Sequence, residues 1–284
     1  MKDGSPVWSS PPGDLKLPKG EVHVWRASVF LAESQIGAMA ETLSVDERNR
    51  AGKFYFEKDR RSFIVTRGIL RTLLGRYLDR SPSRLRFCYG PQGKPALTQD
   101  SGGDMLRFNL SHSHGMALFA IARDREVGVD LERIRPGLAR EEIAERFFSP
   151  REVFMLRKVP VEMRVEAFFN CWTRKEAYIK ATGKGFSLPL DEFVVSLAPG
   201  EPAALLETRT DYREASRWCL RSFAPRPGYL GALAVTGDCP ELKCWHWSAD
   251  PWLEPPNRAC AGTGQAGEAA GRASERRSPA RSRR

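Results

Sequence analysis

Residues 161–182 end on the run NCWTRKEAYIKAT and read as one long helix whose apolar side is too broad to be left facing water. At about 100° per residue, Phe168, Cys171, Trp172, Lys175, Tyr178 and Ile179 fall on that side, so Lys175 sits inside an apolar stripe. Glu176 and Lys180 stand i, i+4 along the stripe's other edge. A surface ion pair, with Lys175 laying its stem over Trp172, accounts for these charges without any function. A functional reading needs partners elsewhere in the chain.

The rest of the chain alternates helices with strands. EVHVWRASVF (21–30) has strand alternation, 35–43 is helical, and Ser44 with Asp46 and Glu47 marks a helix start. A longer helix covers 59–78, with Phe63, Ile64, Leu70, Leu73, Leu74 and Tyr77 as its buried face. LRFCYG (85–90) and GMALFAIA (115–122) are strands, and FNLSHSHG (108–115) is a polar loop before the second of them. DRE (124–126) turns the chain into VGVDLE (127–132), expected to pair back on 115–122 as a hairpin. Helices at 139–148, 150–157 and 161–182 precede EFVVSLA, ASRWCLRSFA and GYLGALAVTG, which read as an antiparallel meander ending near Gly237. Each half has helices followed by strands, which predicts an α+β fold of two similar lobes of about 100 residues. The expected divisions are a flexible arm at 1–19, an N-terminal lobe at 20–125, a C-terminal lobe at 126–249 and a disordered Arg-rich tail at 250–284.

At 284 residues the chain is long enough for one large domain or two small ones, each with a real core. No apolar run approaches the roughly 20 residues of a membrane span, and the N-terminus lacks the apolar segment of a signal peptide. A cytoplasmic protein with no membrane partner is expected. Six cysteines, scattered in a chain too large to need stapling, suit reduced thiols. Cys239 and Cys244, with His246 beyond, lack the spacing of a zinc site. The formal charge of +10 raises the question of nucleic acid, but residues 251–284 of the Arg-rich tail supply about +4 of it and read best as solvated, with no dedicated nucleic-acid partner.

Three short motifs carry chemistry. In VGVDLE, Val127, Val129 and Leu131 point one way while Gly128, Asp130 and Glu132 point the other, with the two carboxylates' Cα atoms about 7 Å apart. They can share one hard cation such as Mg²⁺, or simply form the polar side of an exposed strand. YGPQGKP (89–95) sets Lys94 behind Gly93 in a turn held between prolines; this either presents N–H groups and a charge to a phosphate or is only a turn. FNLSHSHG contributes Asn109, Ser111 and His112, which serve a ligand or merely satisfy local hydrogen bonds. Neither GxxxxGK[ST] nor a GxGxxG after a strand is present, which argues against ordinary nucleotide hydrolysis and dinucleotide binding.

Taken in order, GKP (93–95), NLSH (109–112), GVDLE (128–132) and WTRKEAYIKATGKG (172–185) resemble the motifs of the 4'-phosphopantetheinyl transferases of the surfactin-synthetase-activating type, over about residues 20–237. The resemblance implies a pseudo-dimer of two α/β lobes with coenzyme A in the cleft between them. It implies Mg²⁺-dependent transfer of 4'-phosphopantetheine to a serine of an apo acyl, peptidyl or aryl carrier protein, the holo-acyl-carrier-protein-synthase type of reaction, by a monomer. In that reading Asp130, Glu132 and Glu176 hold Mg²⁺, Glu176 is also the general base, and Lys180 neutralises the pyrophosphate; Glu176, Asp130 and Lys180 are the catalytic set. Arg50, Lys94, Ser111 and His112 match positions at the 3'-phosphate and adenine end. Tyr89, Gly93, Pro95 and Asn109 lie in the same binding segments, and Lys175 matches the family's lysine beside the glutamate. Glu47 departs from the pattern, standing where some members carry a second basic residue.

Overall fold

The long helices are placed by the apolar faces their periodicity predicts. In the computed structural model, described for residues 6–249 apart from 104, 140, 210 and 212, the elements are, in order, β1 (Trp8–Ser9), β2 (Glu21–Ser28), α1 (Glu33–Thr42), α2 (Val45–Ala51), α3 (Glu57–Leu78), β3 (Phe87–Tyr89), β4 (Pro95–Leu97), β5 (Leu106–Ser113), β6 (Met116–Arg123) and β7 (Val127–Arg133). There follow α4 (Glu141–Phe147), α5 (Pro150–Lys158), α6 (Arg164–Thr182), β8 (Phe193–Val195), β9 (Leu205–Thr208), β10 (Trp218–Phe223), β11 (Tyr229–Thr236) and β12 (Glu241–His246). The fold is α+β, as expected.

Two sheets dominate it: a five-stranded sheet in the order β1-β12-β2-β6-β5 and a three-stranded sheet in the order β10-β11-β7. On the first lies α3, whose Ile64, Leu70, Leu73 and Leu74 share a buried cluster with Trp25, Phe108 and Phe119. On the second lies α6, whose Ala177 and Ala181 share a cluster with Leu220, Ala232 and Ala234. A third cluster joins the facing sides of the sheets, with Val22, Val24, Leu118 and Ala120 against Val127, Val129, Leu131 and Leu233. The alternation of VGVDLE is thus realised, its valines and Leu131 facing this inter-sheet core.

Several sequence expectations are corrected. β7 does not form a hairpin with β6: both edges of β6 are taken by β2 and β5, and β7 pairs with β11 instead. FNLSHSHG is not a loop before that strand but is largely β5 itself, paired with β6 from Leu106 to Ser113. The chain does not finish its sheets near Gly237, because residues 241–246 return as β12 and lie parallel to β2 in the sheet of the first half. The stretch 1–19, expected as a loose arm, is fixed in its described part: Trp8–Ser9 pairs with β12, and Leu17 is buried. The tail expected at 250–284 lies outside the described residues. Finally, the cysteines are not all free thiols. Cys219 and Cys239 form a disulfide with Cα atoms 5.1 Å apart, since the pairing of β10 with β11 brings the residues just after β11 beside the start of β10. No helix among the described residues is long and apolar enough to cross a membrane.

Candidate active site

The site is built where α6 crosses β7, and Gly128 sets how closely they approach. A Cβ at Gly128 would stand 2.1 Å from the Ala177 carbonyl oxygen and 2.3 Å from the Ala181 nitrogen. With hydrogen there instead, one turn of α6 rests on the strand and brings Lys180 over Asp130. Gly183, at φ 69°, ends the helix in the left-handed conformation that glycine adopts without strain.

Asp130 is almost fully buried. Its Oδ1 accepts from Lys180 Nζ at 2.5 Å and from Ser111 Oγ at 3.0 Å, and Lys180 Nζ lies 3.0 Å from the same Ser111 oxygen. Its Oδ2 is buried with no partner. On the next outward position Ser113 Oγ donates to Glu132 Oε2 at 3.0 Å. Thus β5 supplies every second residue, Asn109, Ser111 and Ser113, to β7: Asn109 Oδ1 accepts from the Val129 N–H at 2.9 Å. Burial raises the Glu132 carboxyl above its ordinary pKa, and the Asp130 charge adds to this. The Glu176 carboxyl is raised for the same two reasons, with Lys180 opposing and Glu132 adding a little. The three carboxylates therefore feel one another, although no group of three His, Cys, Asp or Glu side chains among the described residues stands close enough to hold a metal as the side chains lie.

A cleft of about 610 Å³ opens beside this cluster. Gln92, Gly93 and Asn109 line it from the first half of the chain, and Trp172, Glu176 and Lys180 from the second. On α6 Trp172, Glu176 and Lys180 follow at i, i+4 and i+8 and are its partly exposed residues here, which answers why those charges lie beside that tryptophan. Gly93 turns at φ 79°, and Pro95 opens β4 opposite Tyr89.

Other residues fall elsewhere. Lys175 is fully buried and turned away: its Nζ meets Glu152 Oε2 at 2.7 Å and donates to the carbonyls of Leu190 at 2.6 Å and Phe193 at 2.5 Å. The expectation that it touches a ligand is corrected, because its charge is consumed inside the protein. Lys94 borders the cleft, but its ammonium donates to Ala181 O at 2.8 Å, Glu126 Oε2 at 3.0 Å and Val127 O at 3.3 Å. Three acceptors use all three of its N–H groups, and burial lowers its pKa. The lysine expected to meet a phosphate instead fastens the GKP turn to the end of α6 and the start of β7. His112 lies on β5 at the surface with its ring partly enclosed by its neighbours; that partial desolvation, and then the Lys180 charge, lowers its pKa. Arg50, at the end of α2, is exposed with its guanidinium over Phe63. Glu47, the departure from the pattern, is buried and holds Arg71 at 2.6 Å and Arg67 at 3.3 Å. Sequence reasoning missed Ser113, Glu126 and Arg67. Only Ser113 left a signal, its i+2 spacing from Ser111 on a strand read as a loop.

Comparison with known proteins identifies the family. Residues 126–234 match the family model of the 4'-phosphopantetheinyl transferase superfamily, and residues 25–124 match that of the 4'-phosphopantetheinyl transferase N-terminal region. The chain is 43% identical over 241 residues to the 4'-phosphopantetheinyl transferase HetI of Nostoc sp., covering 85% of this chain and 98% of that one. It is 32% identical over 167 residues to a 4'-phosphopantetheinyl transferase of Bacillus subtilis, covering 59% of this chain and 72% of that one. It is 28% identical over 201 residues to the 4'-phosphopantetheinyl transferase Sfp of the same species, covering 70% and 85%. With acidic β7, α6 and the GKP turn meeting as described, and a match spanning both halves, the chain belongs to the 4'-phosphopantetheinyl transferase superfamily.

Proposed function

We propose that the chain transfers the 4'-phosphopantetheine group of coenzyme A to a serine hydroxyl of an apo carrier protein and releases adenosine 3',5'-bisphosphate. The observation that carries this reading is the triangle of Lys180, Asp130 and Ser111 at the edge of a cleft that also holds Glu176. In the transfer, the serine oxygen bonds to the pantetheine-linked phosphorus while the bond from that phosphorus to the bridging oxygen of the pyrophosphate breaks. The electron pair leaves with adenosine bisphosphate, and the serine proton passes to Glu176, directly or through water. Lys180 is placed to offset the charge on the leaving phosphate.

Asp130, Glu132 and Glu176 would hold Mg²⁺. An all-oxygen donor set suits a hard cation, and the partnerless buried oxygen of Asp130 is an acceptor that such a cation would satisfy. When bound, the ion offsets the charge of the pyrophosphate against the carboxylates. We take the enzyme as a monomer acting in the cytoplasm on acyl, peptidyl or aryl carriers, with coenzyme A between two lobes. The seating of α3 and α6 on separate sheets supports the two-lobed reading. The test is mass spectrometry of a panel of apo carriers incubated with coenzyme A and Mg²⁺. Gain of one phosphopantetheine is expected; gain of an acyl group from an acyl thioester, or no gain on any carrier, sinks the proposal.

A further inference from the structure

β5 and β7 run close together but end separate sheets, so the hydrogen bonds between them come from side chains. Asn109 Oδ1 accepts from the Val129 N–H, and four residues further along each strand Ser113 Oγ accepts from the Arg133 N–H at 3.3 Å. Ser113 does more than satisfy an edge. It is 8% exposed, and its hydroxyl donates to Glu132 Oε2 at 3.0 Å and lies 3.1 Å from His114 Nδ1. With its one proton on the carboxylate, the hydroxyl's two lone pairs are left for the Arg133 N–H and a protonated His114 Nδ1.

The turn that follows Ser113 is braced from β11. His114 takes φ 44°, in the left-handed region that residues other than glycine rarely adopt. Its carbonyl accepts from the buried Tyr229 hydroxyl at 2.7 Å, and Tyr229 stands opposite Arg133 in the register of β11 with β7. Ser113, Arg133, Tyr229 and His114 thus close a ring of contacts through three strands. Glu132 depends on that ring. Asp130, two residues before it, is held by both Ser111 and Lys180, whereas Ser113 is the one hydrogen-bond partner of the Glu132 carboxylate among the described residues. A glutamate carboxylate moves on three side-chain torsions, so fixing it costs conformational entropy at the moment of ligation unless a neighbour has already fixed it. The bond to Oε2 does this and leaves Oε1 available as a ligand.

We infer that Ser113, with its turn braced by Tyr229, is a positioning residue for the transfer reaction and holds Glu132 ready to join Asp130 at the cation. Carboxylates that bind a metal are themselves hydrogen-bonded, and losing that outer partner weakens the site although every ligand remains. The inference rests on the reading of Asp130, Glu132 and Glu176 as a Mg²⁺ site. It differs from a structural role for Ser113 in tying that residue to cation affinity through Glu132.

The test uses Mn²⁺ as the probe, its binding to the full chain with coenzyme A present being followed by electron paramagnetic resonance. Ser113→Ala is expected to weaken Mn²⁺ binding by about ten- to a hundredfold. Raising Mg²⁺ should then recover most of the transfer rate that this variant loses. Ser113→Thr keeps the hydroxyl and should restore the affinity, and Tyr229→Phe, which releases only the brace, should weaken it in the same direction by less. In a Glu132→Gln background Ser113→Ala should add no further loss, because the two residues act through one contact. If Ser113→Ala does not fold, Ser113→Cys, close in size but a weak donor, must show the same loss. A melting temperature that falls while Mn²⁺ affinity holds, or losses that add in full to those of Glu132→Gln, overturn the inference. A parent chain that binds Mn²⁺ no better than its Ser113→Ala variant overturns it alone. A parent chain that binds no Mn²⁺ at all removes the metal-site reading, and the role of Ser113 falls with it.

Discussion

Lys175 and Lys180 lie on the same helix and meet opposite fates. Lys175 closes a fully buried pair with Glu152, whereas Lys180 reaches Asp130 at the edge of the cleft. Lys175→Met should therefore destabilise the protein by about 3–5 kcal/mol, because it leaves a carboxylate buried without its counter-ion. Lys180→Met also takes a counter-ion from a buried carboxylate, but it leaves Asp130 the bond from Ser111 and its lysine is partly exposed, so it should cost less stability than Lys175→Met while lowering transfer by orders of magnitude. Urea denaturation and the carrier assay on both variants check this, and a Lys175→Met protein as stable as the parent would contradict it. The helical wheel put Lys175 inside the apolar stripe but could not supply Glu152, which reaches it only through packing of α5 on α6. His23 gives the residue scale a pH dependence. Its Nδ1 meets the Tyr77 hydroxyl at 2.6 Å and its Nε2 meets Glu21 at 3.1 Å, in a ring that is 2% exposed. Burial lowers its pKa, so the folded state prefers the neutral ring. Its contribution is then fully present above the unfolded value of about 6.5 and falls as pH drops towards the lower folded value. His23→Gln should flatten the decline in melting temperature between neutral and mildly acidic pH; an unchanged slope would remove His23 as its cause.

At the scale of elements, the decisive contact is α6 on β7. The sequence stated both periods correctly, so Asp130 and Glu132 were legible as one face of a strand and Glu176 and Lys180 as one edge of a helix. What it could not state was that the two surfaces meet, because strand partners are chosen by competition among edges. β7 was expected beside β6, but β2 and β5 already occupy both sides of that strand. Gly128 records the meeting: a methyl group there would press on the backbone of α6 at Ala177 and Ala181, which cannot rotate aside as a side chain can. Gly128→Ala should cost about 1–3 kcal/mol as overpacking and, by lifting Lys180 and Glu176 from Asp130, reduce transfer by more than its effect on stability explains. Crystal structures or amide exchange of the variant would show α6 displaced. Full activity with an unaltered helix position would mean that the contact is softer than it looks.

The whole molecule is closed by a strand that the sequence reading left out. GDCPELKCWHW (237–247) has too little alternation and too many polar residues to stand out, and its partners lie at the opposite end of the chain. Yet β12 runs between β1 and β2, so it covers an edge of β2 that would otherwise be open. Beyond it Trp247 and Ala249 are 7% and 5% exposed and belong to the cluster under α3, while Cys239 is tied to Cys219. Two truncations distinguish the role of this closing segment from that of residues 250–284. A chain ended after Ala249 loses only residues whose composition gives no large apolar face, and it should keep both its melting temperature and its transfer rate. A chain ended after Gly237 loses β12, Trp247, Ala249 and the disulfide together. Each large buried side chain contributes about 1.5–3 kcal/mol and the whole domain retains only about 5–15 kcal/mol, so this second chain should fail to unfold cooperatively. Thermal unfolding monitored by near-ultraviolet circular dichroism distinguishes them. A cooperative transition in the shorter chain near the parent's temperature would mean that the first half closes its own sheet, and a large loss in the longer one would mean that residues after 249 dock on the domain or recruit the carrier.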